Sequence, residues 1–530
     1  MSKLQVLQTI IRDTLTDNQI RTWITDQDTR AQKVSLYRDY VEGDHDIYLT
    51  ERMKKQLNLM DGARTVHNTL NDNYMDVVVQ TMVDRLEVTG LDAITDSANS
   101  GAGGTDITPA QEGATQPETA PKSTPIEDWL EQIMQYNRFD GLQIGVHEAA
   151  IRDGDTFLMV YWDNDAKAVR FSHEPAFDGN EGMLAIYKTA SAQLPEACVK
   201  IWSEGDDTRL NIYYADRVEK YIVKGTTDKV AGTPTPFDGD GDEDGVARWT
   251  NASGEGIGLP VIHFRNRGKG YKQGGESEIA NAIPLQDALN RLMYSTIMAA
   301  ELTAFQLRYA IGFDPPPNVA PGDWVTIKDP PAKDDRVETG TYEQGELVPY
   351  LDTMRHLALE IGKITRTPAP EFMGADSSSG EALKQREIGL LGKVRRFQVT
   401  IGNAWEDVFE IAHHIQTAFG QEKPPDYSRL NTQWRDAEIR NDETTIKNIM
   451  LVADKIGEKE TLRQIGQVFG WDEAKIDELI SEKKQDRTDN IAQLTNELTP
   501  NFAQFNTADF EPQDTPPRQN GRQPIESIGA

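Results

Sequence analysis

The chain has 530 residues, too many for one hydrophobic core, so about two to four domains are expected. Its formal net charge of −31 excludes a free-standing nucleic-acid binder of the usual basic kind, although not a protein that surrounds DNA without gripping it. A single cysteine, Cys198, excludes an internal disulfide and a cysteine-based zinc site; with no long apolar run and no signal-peptide core in MSKLQVLQTIIRD, a soluble, unsecreted chain with no membrane partner is expected.

Residues 1–91 read as helical. Val34, Tyr37, Tyr40 and Val41 share a face ahead of a turn at Gly43, and a second helix through Tyr74, Val78, Met82 and Leu86 is expected to end at Gly90. Residues 92–127 shift to Gly, Ala, Ser, Thr and Pro without one aromatic, the composition of a flexible insertion. Helical spacing resumes over 129–152. Short strands follow at 156–162, 169–172, 183–187, 198–202, 209–214 and 218–223, and the alternation in TFLMVYW and LNIYY predicts an antiparallel sheet with one wet face. Residues 128–275 are therefore an α+β region.

Residues 232–258 form an acidic, glycine-rich loop. Asp240, Asp242 and Asp244 match the first half of an EF-hand calcium loop, but Asn251 stands where the bidentate carboxylate is required, so a solvated loop is the stronger reading. A last strand at 259–264 leads into a long helix over 276–311, with Pro284 in its first turns. Residues 312–345 make a small proline-bounded unit around the strand-like WVTIK that begins at Trp324, and helical pattern returns over 346–366. Two helices thus bracket a compact tip.

Pro368 and Pro370 interrupt the segment 367–379, TPAPEFMGADSSS, and a long helix follows over 380–418 with Ser379 as its N-cap. Leu390, Val394, Phe397, Ile401, Ala404, Val408, Ile411 and Ile415 recur in steps of four and three, the spacing of a coiled-coil seam, while Lys393, Arg395, Arg396, Glu406 and Asp407 put charge on the other side. Residues 419–485 read as shorter amphipathic helices, and 486–530 are polar and proline-containing, as expected of a segment that orders only on a partner.

Motifs of reactive chemistry are nearly absent from the sequence. No P-loop occurs; His147-Glu148 opens a zincin pattern that Ile151 breaks; Glu410, His413 and His414 would supply one Glu-x-x-His where a di-iron bundle needs two. No catalytic residue, metal site or cofactor is expected, and a structural or binding role is favoured.

The order of these elements, together with YRDYVEGDH at 37–45, VVVQTMVDRLEVTG at 77–90, LPVIHFRNR at 259–267, GGESEIANAIPLQDALNRL at 274–292 and PEFMGADSSSGEALKQREIGLLGKVRRFQVTIGNAWEDVFEIA at 370–412, resembles the portal proteins of tailed bacteriophages, in the siphovirus branch. The resemblance covers about residues 30–485 without 92–127, and its specificity lies in the order of the motifs. It implies a mainly α, α+β protomer with wing, stem, clip and crown regions. The α+β region and the 380–418 helix correspond to the wing, 276–311 and 346–366 to the stem, 312–345 to the clip, 367–379 to the tunnel loop and 419–485 to the crown.

The same resemblance implies a homo-oligomeric ring, usually of twelve subunits, at one capsid vertex of the virion and assembled in the host cytoplasm. Its partners would be double-stranded DNA in transit, the terminase large subunit, the major capsid and scaffolding proteins, and head-completion adaptors. The tunnel would be lined by Phe372, Met373, Gly374, Ser377, Ser378 and Ser379, with Lys363, Arg366, Lys393, Arg395 and Arg396 as exposed cations that either touch phosphates or pair with acids of a neighbouring subunit. Trp324, Lys328, Lys333 and Arg336 would be the clip's docking residues, with the clip's own core as the equal alternative for Trp324. The competing readings are another virion structural protein, such as an adaptor or minor head protein, and a calcium-binding protein that uses the acidic loop.

Overall fold

The computed structural model describes residues 3–11, 15–45, 51, 72–94, 124–189, 192–225, 230–239, 242–268, 273–304, 308–311, 324–327, 338–341, 346–368, 380–437, 449–451, 453, 457–468, 476 and 479–480. It divides the chain into one unit of residues 1–115 with 122–438 and a second of 116–121 with 439–530.

The first unit opens with α1 (Lys3–Leu7), α2 (Asp17–Glu42) and α3 (Tyr74–Val83). A reciprocal Thr16–Gln19 capping box starts α2, and Gly43, at φ +79°, ends it at the expected turn. The next helix stops at Val83, short of Gly90, which lies within β1 (Val88–Ile94). Helical periodicity through Leu86 hid a strand held by a distant partner. The segment expected as a flexible insertion therefore begins with three paired residues, and at its other end Thr124 and Glu127 form a capping box that opens α4 (Pro125–Tyr136). Residues 95–123 lie outside the described part.

A left-handed Arg138 separates α4 from α5 (Phe139–Asp153), so the expected single helix is two. Strands β2 (Asp155–Asp163), β3 (Ala168–Pro175), β4 (Gly182–Ile186), β5 (Ala197–Glu204), β6 (Asp207–Tyr213), β7 (Arg217–Lys224), β8 (Ala231–Pro236), β9 (Val246–Arg248) and β10 (Val261–Arg265) follow. They make two antiparallel sheets, not one. One runs β10-β2-β3, the other β4-β5-β6-β7-β8 with β9 on β7. Alternation marks a strand's dry face but not its neighbour, so the partition was invisible in sequence. A buried polar chain lies across the join, with Tyr187 OH 2.8 Å from His263 Nδ1, His263 Nε2 2.9 Å from Asp155, and Gly275 N–H donating to Asp155 at 2.7 Å.

The first of the two bracketing helices, α6 (Ile283–Ala304), has Pro284 in its first turn, where a missing N–H costs nothing. It is shorter than expected, because residues 308–311 are a strand, β11 (Arg308–Ile311), joined in parallel by β12 (Trp324–Ile327) and antiparallel by β13 (Glu338–Thr341). The apolar RYAI continued the helical spacing, and only pairing partners distant in sequence make it β. The second bracketing helix, α7 (Val348–Thr365), packs on α6, where Thr296 meets the Met354 sulfur at 3.8 Å.

Helix α8 (Gly380–Phe419) is 40 residues long, which at 1.5 Å per residue is about 60 Å. Leu390, Val394, Phe397, Ile401, Ala404, Val408 and Ile415 are buried as expected, and Ile411 is half-buried. Trp405, Phe409 and Ala412 are buried as well, which widens the seam into a face. The reason is the partner: α8 lies on β2, β3, β10 and β14 (Arg429–Trp434), a broad surface that fills more of the helix circumference than a second helix would. Strand β14 stands in a region expected to be helical; it pairs with β1 across more than 330 residues of sequence. Gly402 admits β14 closely, since a Cβ there would lie 3.2 Å from Trp434 Nε1.

The core of this unit gathers α3, α4, α5, the three-stranded sheet and α8; the six-stranded sheet buries its own face under α1 and α2. Trp405 Nε1 donates to His147 Nε2 at 3.0 Å in a buried bond and Trp129 Nε1 to Gln416 at 2.9 Å in a half-buried one, so side chains tie α8 to both helices beneath it. In the second unit the described helix is α9 (Glu458–Val468), within one of the expected amphipathic segments. Among the described residues no helix is long and apolar enough to cross a membrane.

Candidate functional site

The end of α7 is built as a Schellman turn. Thr367 N–H reaches Gly362 O at 2.9 Å, and Arg366 N–H reaches the Lys363 carbonyl, with Arg366 itself left-handed at φ +59°. Glycine is the residue this geometry favours. An arginine here carries a local conformational cost of about 1 kcal/mol, which places a guanidinium at the point where residues 367–379 begin.

Lys393, one turn along α8 from Leu390, reaches this turn from the other side. Its Nζ donates to Thr365 O at 2.9 Å and pairs with Glu278 at 3.0 Å, both side chains being 10% or less exposed. Glu278 is held in turn by Asn266 Nδ2 at 3.1 Å and Arg267 at 3.7 Å, while its own N–H donates to Ile151 O. One ammonium thus joins α8, the C-terminus of α7, and the segment leading into α6. The expectation that Lys393 is an exposed cation is corrected: it sits at the flank of the buried arc, and its apolar stem carries the charge inward to Glu278. Burial lowers the Lys393 pKa from its ordinary value, with Glu278 acting against that shift.

Around this knot lies a cleft of about 130 Å³ lined by Arg267, Arg366, Lys393, Arg396, Asn281 and Thr400 among others, with Glu278 as its carboxylate. Four cations against one acid make the cleft basic in a chain that is acidic overall. Arg366 and Arg396 are exposed at its rim. Geometry of this kind suits an oxyanion such as a phosphate group, which a guanidinium contacts with two parallel N–H groups.

Of the residues singled out in the sequence, Arg366, Lys393 and Arg396 come together here. Lys363 is exposed on α7 and pairs with Glu360, and Arg395 is exposed on α8. Phe372, Met373, Gly374, Ser377, Ser378 and Ser379 lie outside the described residues, as do Lys328, Lys333, Arg336 and Asp240. Trp324 opens β12, with Arg308 of β11 opposite it in the backbone register. Asp242 is taken up by Lys220 at 2.8 Å and by Gly239 N–H, and Asp244 is left-handed at φ +53° ahead of Gly245. Those bonds make Asp242 part of the loop's own framework. His413, half of the Glu-x-x-His pattern, turns its Nε2 to Pro425 O at 3.2 Å. Asn266, Arg267 and Glu278 lie in the motifs at 259–267 and 274–292, but nothing in the sequence brings them to Lys393.

Residues 20–489 match a family model described as phage portal protein, SPP1 Gp6-like. Two curated relatives are both described as portal proteins. That of Mycobacterium phage D29 is 28% identical over 209 residues, 36% of this chain and 42% of the relative. That of Mycobacterium phage L5 is 29% identical over 202 residues, 36% of this chain and 41% of the relative. The chain thus spans about two fifths of the length of the curated relatives it matches. A solved chain described as the neck of an empty GTA particle aligns over 80% of this chain and 95% of its own length, with 9% identity and a TM-score of 0.37, a likeness too slight to carry an argument.

Proposed function

The chain belongs to the SPP1 Gp6-like family of phage portal proteins, and from that premise we propose that it forms the ring at one capsid vertex through which double-stranded DNA enters and leaves the head. The observation that carries this reading is the family match across residues 20–489, which takes in both bracketing helices, the small sheet between them and α8. In this reading the protein acts without catalysis: it nucleates head assembly, docks the terminase motor on the β11–β13 module, and later receives head-completion adaptors there. About twelve copies, each at −31, would present DNA with a wall that repels it and keeps it mobile.

The basic cleft at the end of α7 supports a finer statement. Arg366 and Arg396, exposed beside a buried Lys393–Glu278 pair, are placed to make brief phosphate contacts at the root of the tunnel loop, while the pair holds that root in position. The test is DNase-resistant packaging into heads that carry Arg366→Ala with Arg396→Ala. Heads of normal composition with reduced packaged DNA are expected. Packaging at the wild-type level would remove the cleft from the mechanism, and failure to incorporate the protein into heads would make its role architectural.

A further inference from the structure

Of the five non-glycine residues with left-handed backbone among those described, two line the basic cleft, and both are arginines. Arg267 lies at φ +52° and Arg366 at φ +59°, each where glycine is the favoured residue. Backbone strain of this kind is concentrated at functional sites, where the surrounding structure holds it in place. Here it delivers two guanidinium groups to one cleft from opposite sides.

The cations are not held equally. Glu278 Oε1 accepts from Asn266 Nδ2 at 3.1 Å and Oε2 pairs with Lys393 at 3.0 Å, so both carboxylate oxygens are engaged without Arg267. Arg267 reaches the same Oε2 only at 3.7 Å, beyond hydrogen-bond distance, and 36% of its side chain is exposed. Among the described residues neither Arg366 nor Arg396 has an ion-pair partner. Three guanidinium groups can therefore turn to a ligand while the Lys393–Glu278 pair stays closed. Four lining cations and one carboxylate leave the cleft a formal charge of +3. Arg267 and Arg366 both press the Lys393 pKa further down than burial alone, so these charges already act on one another. The carboxylate among them is 3% exposed and little screened by salt.

We propose that Glu278 sets how firmly the cleft holds a DNA phosphate: its buried carboxylate offsets part of the charge presented by Arg267, Arg366 and Arg396, so that a phosphodiester is held briefly and let go. Arg267 is then a third phosphate contact, exchanging its long contact with Glu278 for the DNA backbone. A duplex in transit needs weak contacts, and each further uncompensated cation strengthens the hold on a polyanion. This inference rests on the reading of the cleft as a phosphate contact given above. If Glu278 served only to tie α7 to α8, removing its charge would loosen the cleft and weaken binding, the opposite sign.

The experiment measures binding of a short fluorescent duplex to the full chain by anisotropy at low ionic strength, with amide exchange at the end of α7 as the check on structure. Glu278→Gln raises the cleft's formal charge by one and should tighten binding about three- to tenfold. Glu278→Gln with Lys393→Met restores the original charge and should bind as the wild type does, although both members of the buried pair are gone. Arg267→Ala should weaken binding about as much as Arg396→Ala. Unchanged or weaker binding by Glu278→Gln with α7 still protected would overturn the inference. If that variant loses protection at α7, the double variant decides: wild-type affinity supports the inference and weaker binding overturns it. Wild-type affinity in Arg366→Ala with Arg396→Ala, or no binding by any of these chains, would overturn the phosphate reading of the cleft itself.

Discussion

Replacing Lys393 by Met removes the ammonium that joins three segments while keeping the apolar stem in place. The charge lost is one of a buried pair 3.0 Å apart, with side-chain exposures of 10% and 3%. Removing one partner of such a pair costs about 3–5 kcal/mol, chiefly because the other charge stays buried and unanswered. Arg267 at 3.7 Å and Asn266 at 3.1 Å remain to Glu278, so the lower end, about 3 kcal/mol, is expected. Adding Glu278→Gln, which keeps an acceptor for Asn266 and removes the stranded charge, should return about 2 kcal/mol of that loss. Because the chain has two units and its global unfolding need not be two-state, the measurement is amide hydrogen exchange across the last turn of α7 and the central turns of α8. Protection of Arg366 and Thr367 N–H should fall at least tenfold in Lys393→Met and recover in the double variant. Unchanged protection, or a double variant whose losses simply add, would refute the reasoning that the pair holds the turn.

Arg366→Gly should stabilise the end of α7 by about 1 kcal/mol, since glycine takes the left-handed position freely, while lowering packaged DNA; a destabilised variant would show that the arginine side chain packs in a way that outweighs its backbone cost. His147, fully buried and accepting from Trp405, has its pKa driven down to about 3 by desolvation. Its folded value lies below the unfolded one, so its contribution is fully present above about pH 6.5 and is lost as pH falls toward 3, a swing of about 3–5 kcal/mol. Urea midpoints measured from pH 7 to pH 4 should fall accordingly, with a shallower slope in His147→Phe. Gln143 accepts from Val88 N–H at 2.7 Å and donates to Val88 O at 3.2 Å, standing in for a third strand beside β1. Gln143→Ala should cost about 1–3 kcal/mol and raise amide exchange across β1 and β14; exchange equal to the wild type would mean that water replaces both bonds.

Periodicity made α8 and most strands legible, because a helix or strand with one dry face writes that face into the sequence at its own spacing. What it could not show was the identity of partners. By its local sequence β1 reads as the end of a helix, β11 as a helical turn and β14 as part of a helical region, since each owes its structure to a strand far away in the chain. The same limit applied to the cleft. The sequence marks Lys393 as a cation beside the loop, but its burial depends on Glu278, more than 100 residues away, and a lysine at the flank of an apolar stripe looks the same whether it points out or in. The functional class came from the order of the motifs, which the match over residues 20–489 bears out, and no single residue could have carried it.

The central claim is that copies of this chain close into a ring with a channel wide enough for a DNA duplex. Electron microscopy of the purified full chain tests it most directly. Symmetric rings of about twelve subunits with an open centre are the expected result, and a monodisperse monomer at every salt concentration from low to high would contradict the account.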